Sequence, residues 1–310
     1  MDHAPLSILS AIGHTPLVQL KKIIPSHCAD IYVKLEYFNP TGSYKDRMAL
    51  AIIEGAEKRG ILKTGMNVVE CTGGSTGTSL AFVCSIKGYA FKAISSDAFA
   101  KEKLKAIQLF GGELELIPSE GGKITPDLIP KMINRAEVLG ANADTYWTNQ
   151  FTNMDALEGY RIMGDEIASQ LNRPLDVFCA AVGTAGMVAG VSSQLKKINS
   201  STKVVILEPA SAPLLSKGIK GSHKVEGIGV GLIPPLLNSM HYDEVQVIEE
   251  ESARKMAQLL VAKEGIFAGT STGLNVAAAI RIGKKLGPGY SVITVACDSG
   301  LKYLAGGLFN

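Results

Sequence analysis

The sequence predicts an α/β protein built from two open, twisted, mostly parallel sheets flanked by helices. Short apolar, β-branched runs alternate with longer helical periods along nearly the whole chain, the order that builds parallel sheets. Two of those runs, Val177–Val182 and Ser291–Ala296, are apolar almost throughout, as strands covered on both faces are. The chain also carries 33 glycines in 310 residues, which supply tight turns and close backbone approaches.

The predicted strands are Ile31–Leu35, Asn67–Glu70, Lys92–Ser95, Glu113–Ile117, Val177–Val182, Lys203–Leu207 and Ser291–Ala296. Between them lie the predicted helices Lys45–Arg59, Thr76–Lys87, Lys101–Phe110, Ile129–Leu139, Ala156–Leu171, Gly186–Ile198, Glu251–Glu264 and Leu274–Lys285. Several stop at a glycine, Gly60 and Gly88 among them, as C-terminal caps do. Residues Gly140–Thr148 are small and polar, and Asn172-Arg173-Pro174 then opens a fresh strand, so the chain divides near residue 150 into two α/β domains.

Composition narrows the function classes. A chain that is 46% hydrophobic and 19% charged buries a sizeable core. Its net charge is +2 with the basic residues scattered, so neither a nucleic-acid stripe nor a polybasic membrane patch is present. Five cysteines show no paired spacing and no Cys/His cluster, which points to reduced thiols and no metal site. The opening residues lack the basic and apolar regions of a secretion signal, and no apolar run approaches a membrane span. The expectation is a soluble, cytoplasmic protein.

Four segments carry candidate chemistry. In Asn39-Pro40-Thr41-Gly42-Ser43-Tyr44-Lys45-Asp46-Arg47, a turn-forming run leads into a helix-starting serine and places Lys45 at the start of a helix. The positive end of that helix favours a neutral amine, the nucleophile that forms Schiff bases with carbonyl compounds such as pyridoxal phosphate. Taken alone, the window also fits an ordinary solvated lysine. Gly183-Thr184-Ala185-Gly186-Met187 follows an apolar strand and opens a helix, so its N–H groups can meet a phosphate. It is not a Walker loop and makes a poor dinucleotide fingerprint. Thr72-Gly73-Gly74-Ser75-Thr76-Gly77 also follows a strand and offers hydroxyls and N–H groups to a carboxylate, or merely caps a helix. Gly269-Thr270-Ser271-Thr272-Gly273 poses the same choice.

In this order the segments resemble the fold-type II pyridoxal-phosphate enzymes, the tryptophan synthase β-like fold, and within them the cysteine synthase (O-acetylserine sulfhydrylase) and cystathionine β-synthase family. Ile12-Gly13-His14-Thr15-Pro16-Leu17-Val18 is similar to the family's IGxTPLV opening, and the Lys45 window to NPxGSxKDR. Gln150-Phe151, the Gly183–Met187 turn, Glu226-Gly227-Ile228-Gly229, Gly269–Gly273 and Asp298-Ser299-Gly300 with Tyr303-Leu304 complete the ordered matches. A dehydrogenase would not show that order.

The resemblance implies pyridoxal phosphate in an interdomain cleft, bound as a Schiff base to Lys45, which later shuttles the α-proton. Gly183, Thr184, Ala185, Gly186 and Met187 would hold the phosphate, and Ser271 the pyridine nitrogen. Thr72, Gly73, Gly74, Ser75 and Thr76 would clasp the substrate carboxylate with Gln150 opposite, Ser75 also reaching the cofactor and Gly227 lying beside it. It implies a smaller substrate-binding domain over residues 38–149, and a larger phosphate-binding domain from residues 1–37 and 150–310. The implied reaction replaces the β-substituent of an O-activated L-serine with sulfide or another small nucleophile, in a homodimer. A β-eliminating lyase, such as a cysteine desulfhydrase or a serine/threonine dehydratase, stays open. So does a weakly catalytic binding partner.

The chain departs from the family pattern at several points. Ser75 stands where an asparagine is usual, and Gly73 where a serine is. Met187 occupies a common hydroxyl position, and Tyr44 replaces a valine more typical of synthases. Cys71 before the loop is unusual and reads as a packed, inert thiol. Ser95–Glu102 and Gly121–Pro130 differ from the usual synthase runs. These departures leave the amino-acid donor open.

Overall fold

The computed structural model describes residues 7–122, 125, 127–238 and 241–309. The first six residues, part of the Gly121–Pro130 run and Asn310 lie outside the described residues. Contacts divide the chain into two compact units, the described parts of Met1–Ile12 with Lys45–Ala156, and of Gly13–Tyr44 with Leu157–Asn310. Each unit holds one sheet.

The sheet of the second unit contains β1 (Leu17–Gln19), β2 (Asp30–Leu35), β7 (Val177–Ala181), β8 (Lys203–Pro209), β9 (Glu244–Ile248) and β10 (Ser291–Ala296), in the order β1-β2-β10-β7-β8-β9. Only β1 runs antiparallel to its neighbour. Strands β7 and β10 are buried along their whole length, as their apolar sequences require. Strand β10 pairs with β2 over all six residues, but with β7 only at Val292↔Val177 and Ile293↔Phe178. Beyond that point side chains replace the ladder. Thr294 Oγ1 donates to the Cys179 carbonyl at 2.7 Å. Buried Asn275, on α9 (Thr270–Leu286), accepts the Ala181 N–H at 2.9 Å and donates to the Val295 carbonyl at 2.8 Å. The two strands therefore part at their carboxyl ends without stranding buried backbone groups.

The first unit has an all-parallel sheet of β3 (Asn67–Cys71), β4 (Ala90–Ser96), β5 (Glu113–Ile117) and β6 (Thr145–Trp147), ordered β5-β4-β3-β6. Helices α1 (Lys45–Lys58) and α2 (Ser75–Lys87) join one face, where Val68, Ala93, Ile53 and Leu80 share a cluster. Helix α4 (Leu128–Gly140) covers the other, with Val69, Cys71, Ile94 and Met132. Neighbouring Val68 and Val69 thus enter different cores, as the pleat demands.

The sequence reading leaves three strands unassigned. Strands β1 and β6 are only three residues long, and β6 lies inside the polar Gly140–Thr148 stretch. Strand β9 sits at a sheet edge, and its alternating Glu-Val-Gln-Val pattern leaves it mostly half-buried. The helix expected over Glu251–Glu264 splits into α8 (Glu250–Leu259) and a π turn at Leu260–Glu264. That turn aims the Glu264 carboxylate at the N–H groups of Lys21, Lys22 and Ile23, 3.1, 2.6 and 2.9 Å away.

Two predictions follow from this packing. Asn275→Ala strips buried partners from β7 and β10 and should cost about 2–3 kcal/mol, read as a fall in the thermal midpoint by circular dichroism. An unchanged midpoint would show that the strands part without its help. Burial also pushes the thiols of Cys84 and Cys179 up to about 12, and that of Cys71 further. Ellman's reagent at pH 8 should therefore leave these three untouched in the native protein, reaching at most half-buried Cys28, and find all five cysteines in denaturant.

Candidate active site

Both sheets have a switch point, where the connections from one strand leave toward opposite neighbours, and ligands of such sheets bind at the carboxyl ends there. In the second unit β7 lies between β8 and β10, and the Gly183–Met187 turn leaves its carboxyl end. In the first unit β3 lies between β4 and β6. The Thr72–Gly77 loop leaves β3, and Gln150 follows β6.

Three of the candidate segments open helices whose N-cap residue contributes no side-chain hydrogen bond. Helix α2 begins after Gly74, α6 (Gly186–Ile198) after Ala185, and α9 after Gly269, each without a side-chain cap hydrogen bond. First turns not closed by their own N-cap residue can present N–H groups to an anion.

The Gly183 turn is built for close approach. A Cβ on Gly183 would lie 2.5 Å from the Gly227 carbonyl oxygen, so only glycine fits where the Gly227 segment crosses. Gly227 itself has φ +83°, in the left-handed region. The Gly229 N–H donates to the Val182 carbonyl at 3.0 Å, tying that segment to the end of β7. Ala185 also adopts a left-handed φ of 69°, a strain on the order of 1 kcal/mol for a residue with a Cβ. Thr184 and Met187 are buried. Beside the turn is a cavity lined by Gly183, Glu208, Lys220, Gly229 and Leu232. Ser271 is buried in the first turn of α9, one turn before Asn275, whose bond to Ala181 brings it to the same end of the sheet as the Gly183 turn. Next to it, Thr272 Oγ1 accepts the Cys297 N–H at 3.0 Å. Glycine-lined N–H groups for a phosphate and a neutral hydroxyl for a ring nitrogen fit the chemistry of pyridoxal phosphate.

In the first unit Lys45 is the first residue of α1 and is 8% exposed, a placement unlike that of a solvated surface lysine. The Thr72–Gly77 loop spends two of its hydroxyls on its own shape. Thr72 Oγ1 accepts the N–H groups of Gly74 and Gly77 at 3.2 and 3.0 Å. Thr76 Oγ1 donates to Gln150 Oε1 at 2.8 Å, and Gln150 Nε2 donates to the Cys71 carbonyl at 2.8 Å. Gln150 is thus joined to the loop by its side chain.

Two residues here carry weight that sequence reasoning did not give them. Phe99 lies in the atypical Ser95–Glu102 run, and a Cβ on Gly73 would fall 2.3 Å from its ring. A serine at position 73 would therefore have to displace that ring. Glu70 is the penultimate residue of β3 and is wholly inaccessible. Its Oε1 accepts the Cys71 N–H at 2.7 Å, while Oε2 accepts the Thr148 hydroxyl at 2.5 Å and the Gln150 N–H at 2.9 Å. Burial raises its carboxyl to about 7 in spite of these donors. The signal in the sequence was a lone acid closing the apolar run Val68-Val69.

The family described as pyridoxal-phosphate dependent enzyme matches residues 8–298. A cysteine synthase from Staphylococcus aureus is 38% identical over 306 residues, covering 98% of this chain and 97% of its own length. The crystal structure of O-acetyl serine sulfhydrylase isoform 3 from Entamoeba histolytica superimposes with a TM-score of 0.92 at 34% identity, covering 99% of this chain and 92% of that one. That of a hydrogen sulfide-producing enzyme from Fusobacterium nucleatum gives 0.89 at 35% identity, covering 97% and 100%. Since the match runs from Ile8 to Asp298, through every turn described above, this chain belongs to the pyridoxal-phosphate dependent enzymes and takes that cofactor.

Proposed function

We propose that this enzyme is a cysteine synthase, replacing the β-substituent of an O-activated L-serine such as O-acetyl-L-serine with sulfide. The observation that carries the reading is the loop at the β3 switch point, bound through Thr76 to Gln150, a small rigid cradle suited to the carboxylate of a short amino acid. Likeness to cysteine synthases over nearly the whole chain supports it.

Pyridoxal phosphate, when bound, supplies an electron sink adjoining the donor's Cα. The chain's own residues do the rest. Lys45 Nζ holds the cofactor covalently until the donor's amino group takes its place. The freed amine then removes the proton from Cα and later returns it. N–H groups of the Thr72–Thr76 loop fix the donor carboxylate, and so orient the Cα–H bond toward that amine. The β C–O bond breaks and acetate departs. Sulfide then forms the new C–S bond at Cβ, giving L-cysteine. The Gly183–Met187 N–H groups, with the Thr184 hydroxyl, hold the phosphate. Ser271 would meet the ring nitrogen with a neutral hydroxyl, which would not enforce protonation there as an aspartate would, and so would favour loss of the β-substituent over racemisation or transamination.

The unit containing Thr72–Thr76 and Gln150 binds the amino acid, and the unit containing Gly183–Met187 and Ser271 holds the cofactor's phosphate and ring. Family resemblance extends the reading to a homodimer acting in the cytoplasm. Five unpaired cysteines accord with a reducing compartment. No helix among the described residues is long and apolar enough to cross a membrane. A second reading, β-elimination releasing sulfide from cysteine, draws on the likeness to the hydrogen sulfide-producing enzyme. Product analysis separates the two: cysteine from O-acetylserine and sulfide supports the synthase, whereas pyruvate and ammonia as main products support the lyase.

Borohydride reduction of the loaded enzyme should fix the cofactor to the peptide bearing Lys45. Lys45→Ala should lose that label, and turnover should fall by about 10²–10⁴-fold or more. A label on another lysine would remove the basis of the mechanism. Gly73→Ser should push the Phe99 ring aside at a cost of about 1–3 kcal/mol, and weaken donor binding. Adding Phe99→Ala should restore donor affinity. Melting curves and donor titrations of the two single variants and the double variant measure the coupling, and additive effects would show that the ring does not govern position 73.

A further inference from the structure

We propose that Glu70 is a positioning residue that holds the donor-binding loop and Gln150 in one geometry, and that it does so as the carboxylate anion. The proposal rests on the reading of Thr72–Thr76 and Gln150 as the donor-carboxylate site.

Glu70 stands where two segments leaving neighbouring strands must meet. Its backbone is the last but one residue of β3, just ahead of the loop, and its side chain crosses to the segment after β6. There it takes the Thr148 hydroxyl and the Gln150 N–H on Oε2, while Oε1 takes the Cys71 N–H. All three partners point a hydrogen at the carboxyl group. Two are backbone N–H groups that cannot turn round to accept. Gln150 completes the circuit, with Nε2 on the Cys71 carbonyl and Oε1 on Thr76 of the loop. The ring Glu70–Gln150–Thr76 thus spans the β3/β6 switch point. A proton on Oε2 displaces one of its two donors, and a proton on Oε1 removes the negative charge that strengthens all three bonds, so either loosens the ring.

Burial is what makes this sensitive to pH. With its carboxyl raised to about 7, Glu70 changes charge near neutrality. The titratable groups that interact with it electrostatically are Cys71 on its own strand and Tyr146 on β6, both pushed up by burial and neutral throughout the range. The direction of the effect is fixed. Above about 7 the anion forms and the loop is held; below it the neutral acid forms and donor affinity falls. Fold stability moves the other way. The folded carboxyl lies above its ordinary value of 4.5, so its contribution to stability is lost as pH rises from there toward 7. A residue with only a structural role would not drive affinity and stability in opposite directions.

The test uses the loaded enzyme and O-acetyl-L-serine, with donor affinity read from the change in cofactor absorbance in the absence of sulfide. Glu70→Gln keeps the shape but faces an N–H₂ toward donors. It should weaken donor binding about ten-fold or more, leave the cofactor spectrum before donor addition unchanged, and abolish the rise of affinity through pH 7. Wild-type affinity with its pH dependence intact in Glu70→Gln overturns the proposal. Should that variant fail to fold, Thr148→Val removes one partner and should weaken binding in the same direction by less; unchanged affinity there overturns the proposal equally. Gln150→Ala separates this claim from the site reading. Affinity lost in Gln150→Ala but kept in Glu70→Gln defeats Glu70 alone, whereas affinity kept in Gln150→Ala defeats the donor site itself and this inference with it.

Discussion

Parallel pairing is the constraint on which the rest of the molecule depends. Parallel strands cannot be joined by hairpins, so each must hand over to a crossover, and all the carboxyl ends of a sheet open on one edge. At a switch point the crossovers leave that edge in opposite directions, and the backbone beyond the last ladder bond must find other partners. In the second unit Asn275 and Thr294 supply them for β7 and β10. In the first unit Glu70 and Gln150 supply them for β3 and β6. The helix starts that follow these strands then face outward from the same edge. The sites are thus consequences of strand order, and the side chains beneath them are what allow the strands to separate.

The two solutions differ in kind. Asn275 is neutral and carries both a donor and an acceptor, so one amide closes the gap between a backbone N–H and a carbonyl. Glu70 meets donors only, and as the anion it holds all three with charge-assisted bonds. A buried anion with no cation beside it is costly, and that cost is visible in its raised affinity for a proton. The gain is a charge-assisted grip on Gln150 stronger than an amide would give. Stability is surrendered at the loop proposed to hold the donor, in keeping with the usual opposition between site geometry and fold stability.

Much of this was legible in the sequence, for identifiable reasons. Strands β7 and β10 announced themselves because burial on both faces leaves only apolar residues. Lys45 and the three glycine-rich turns were visible because their chemistry needs particular residue types at fixed places in the chain order. What stayed hidden depends on tertiary partners. Strand β6 is three residues in a polar setting and exists because β3 offers it a ladder. Glu70 reads as one acid at a strand end, and nothing local tells that Thr148 and Gln150, nearly eighty residues later, point at it. Capping of α2 by Ser75 or Thr76 was a fair local expectation, yet Thr76 turns to Gln150 instead.

The departures from the family pattern argue for a loop that is built, not eroded. Erosion would leave the space of a lost side chain empty or filled at random, and would relax the glycines around it. Here the space beside Gly73 is filled by Phe99, whose ring belongs to the same apolar cluster as Cys71 and Met132. Gly77 remains closed in by Thr72 and Ile107, with a Cβ there 2.6 and 2.7 Å from their side chains. Thr72 in turn holds the N–H groups of Gly74 and Gly77, so the loop is cross-braced from beneath even without the usual serine. A protein kept only as a binding surface has no reason to preserve this bracing, nor to bury a lysine at the first position of α1. The substitutions are better understood as a change in the shape offered to the donor. An aromatic ring now borders the loop beside Gly73, and on the proposed reading of the site it is a wall against which β-substituted serines would be told apart.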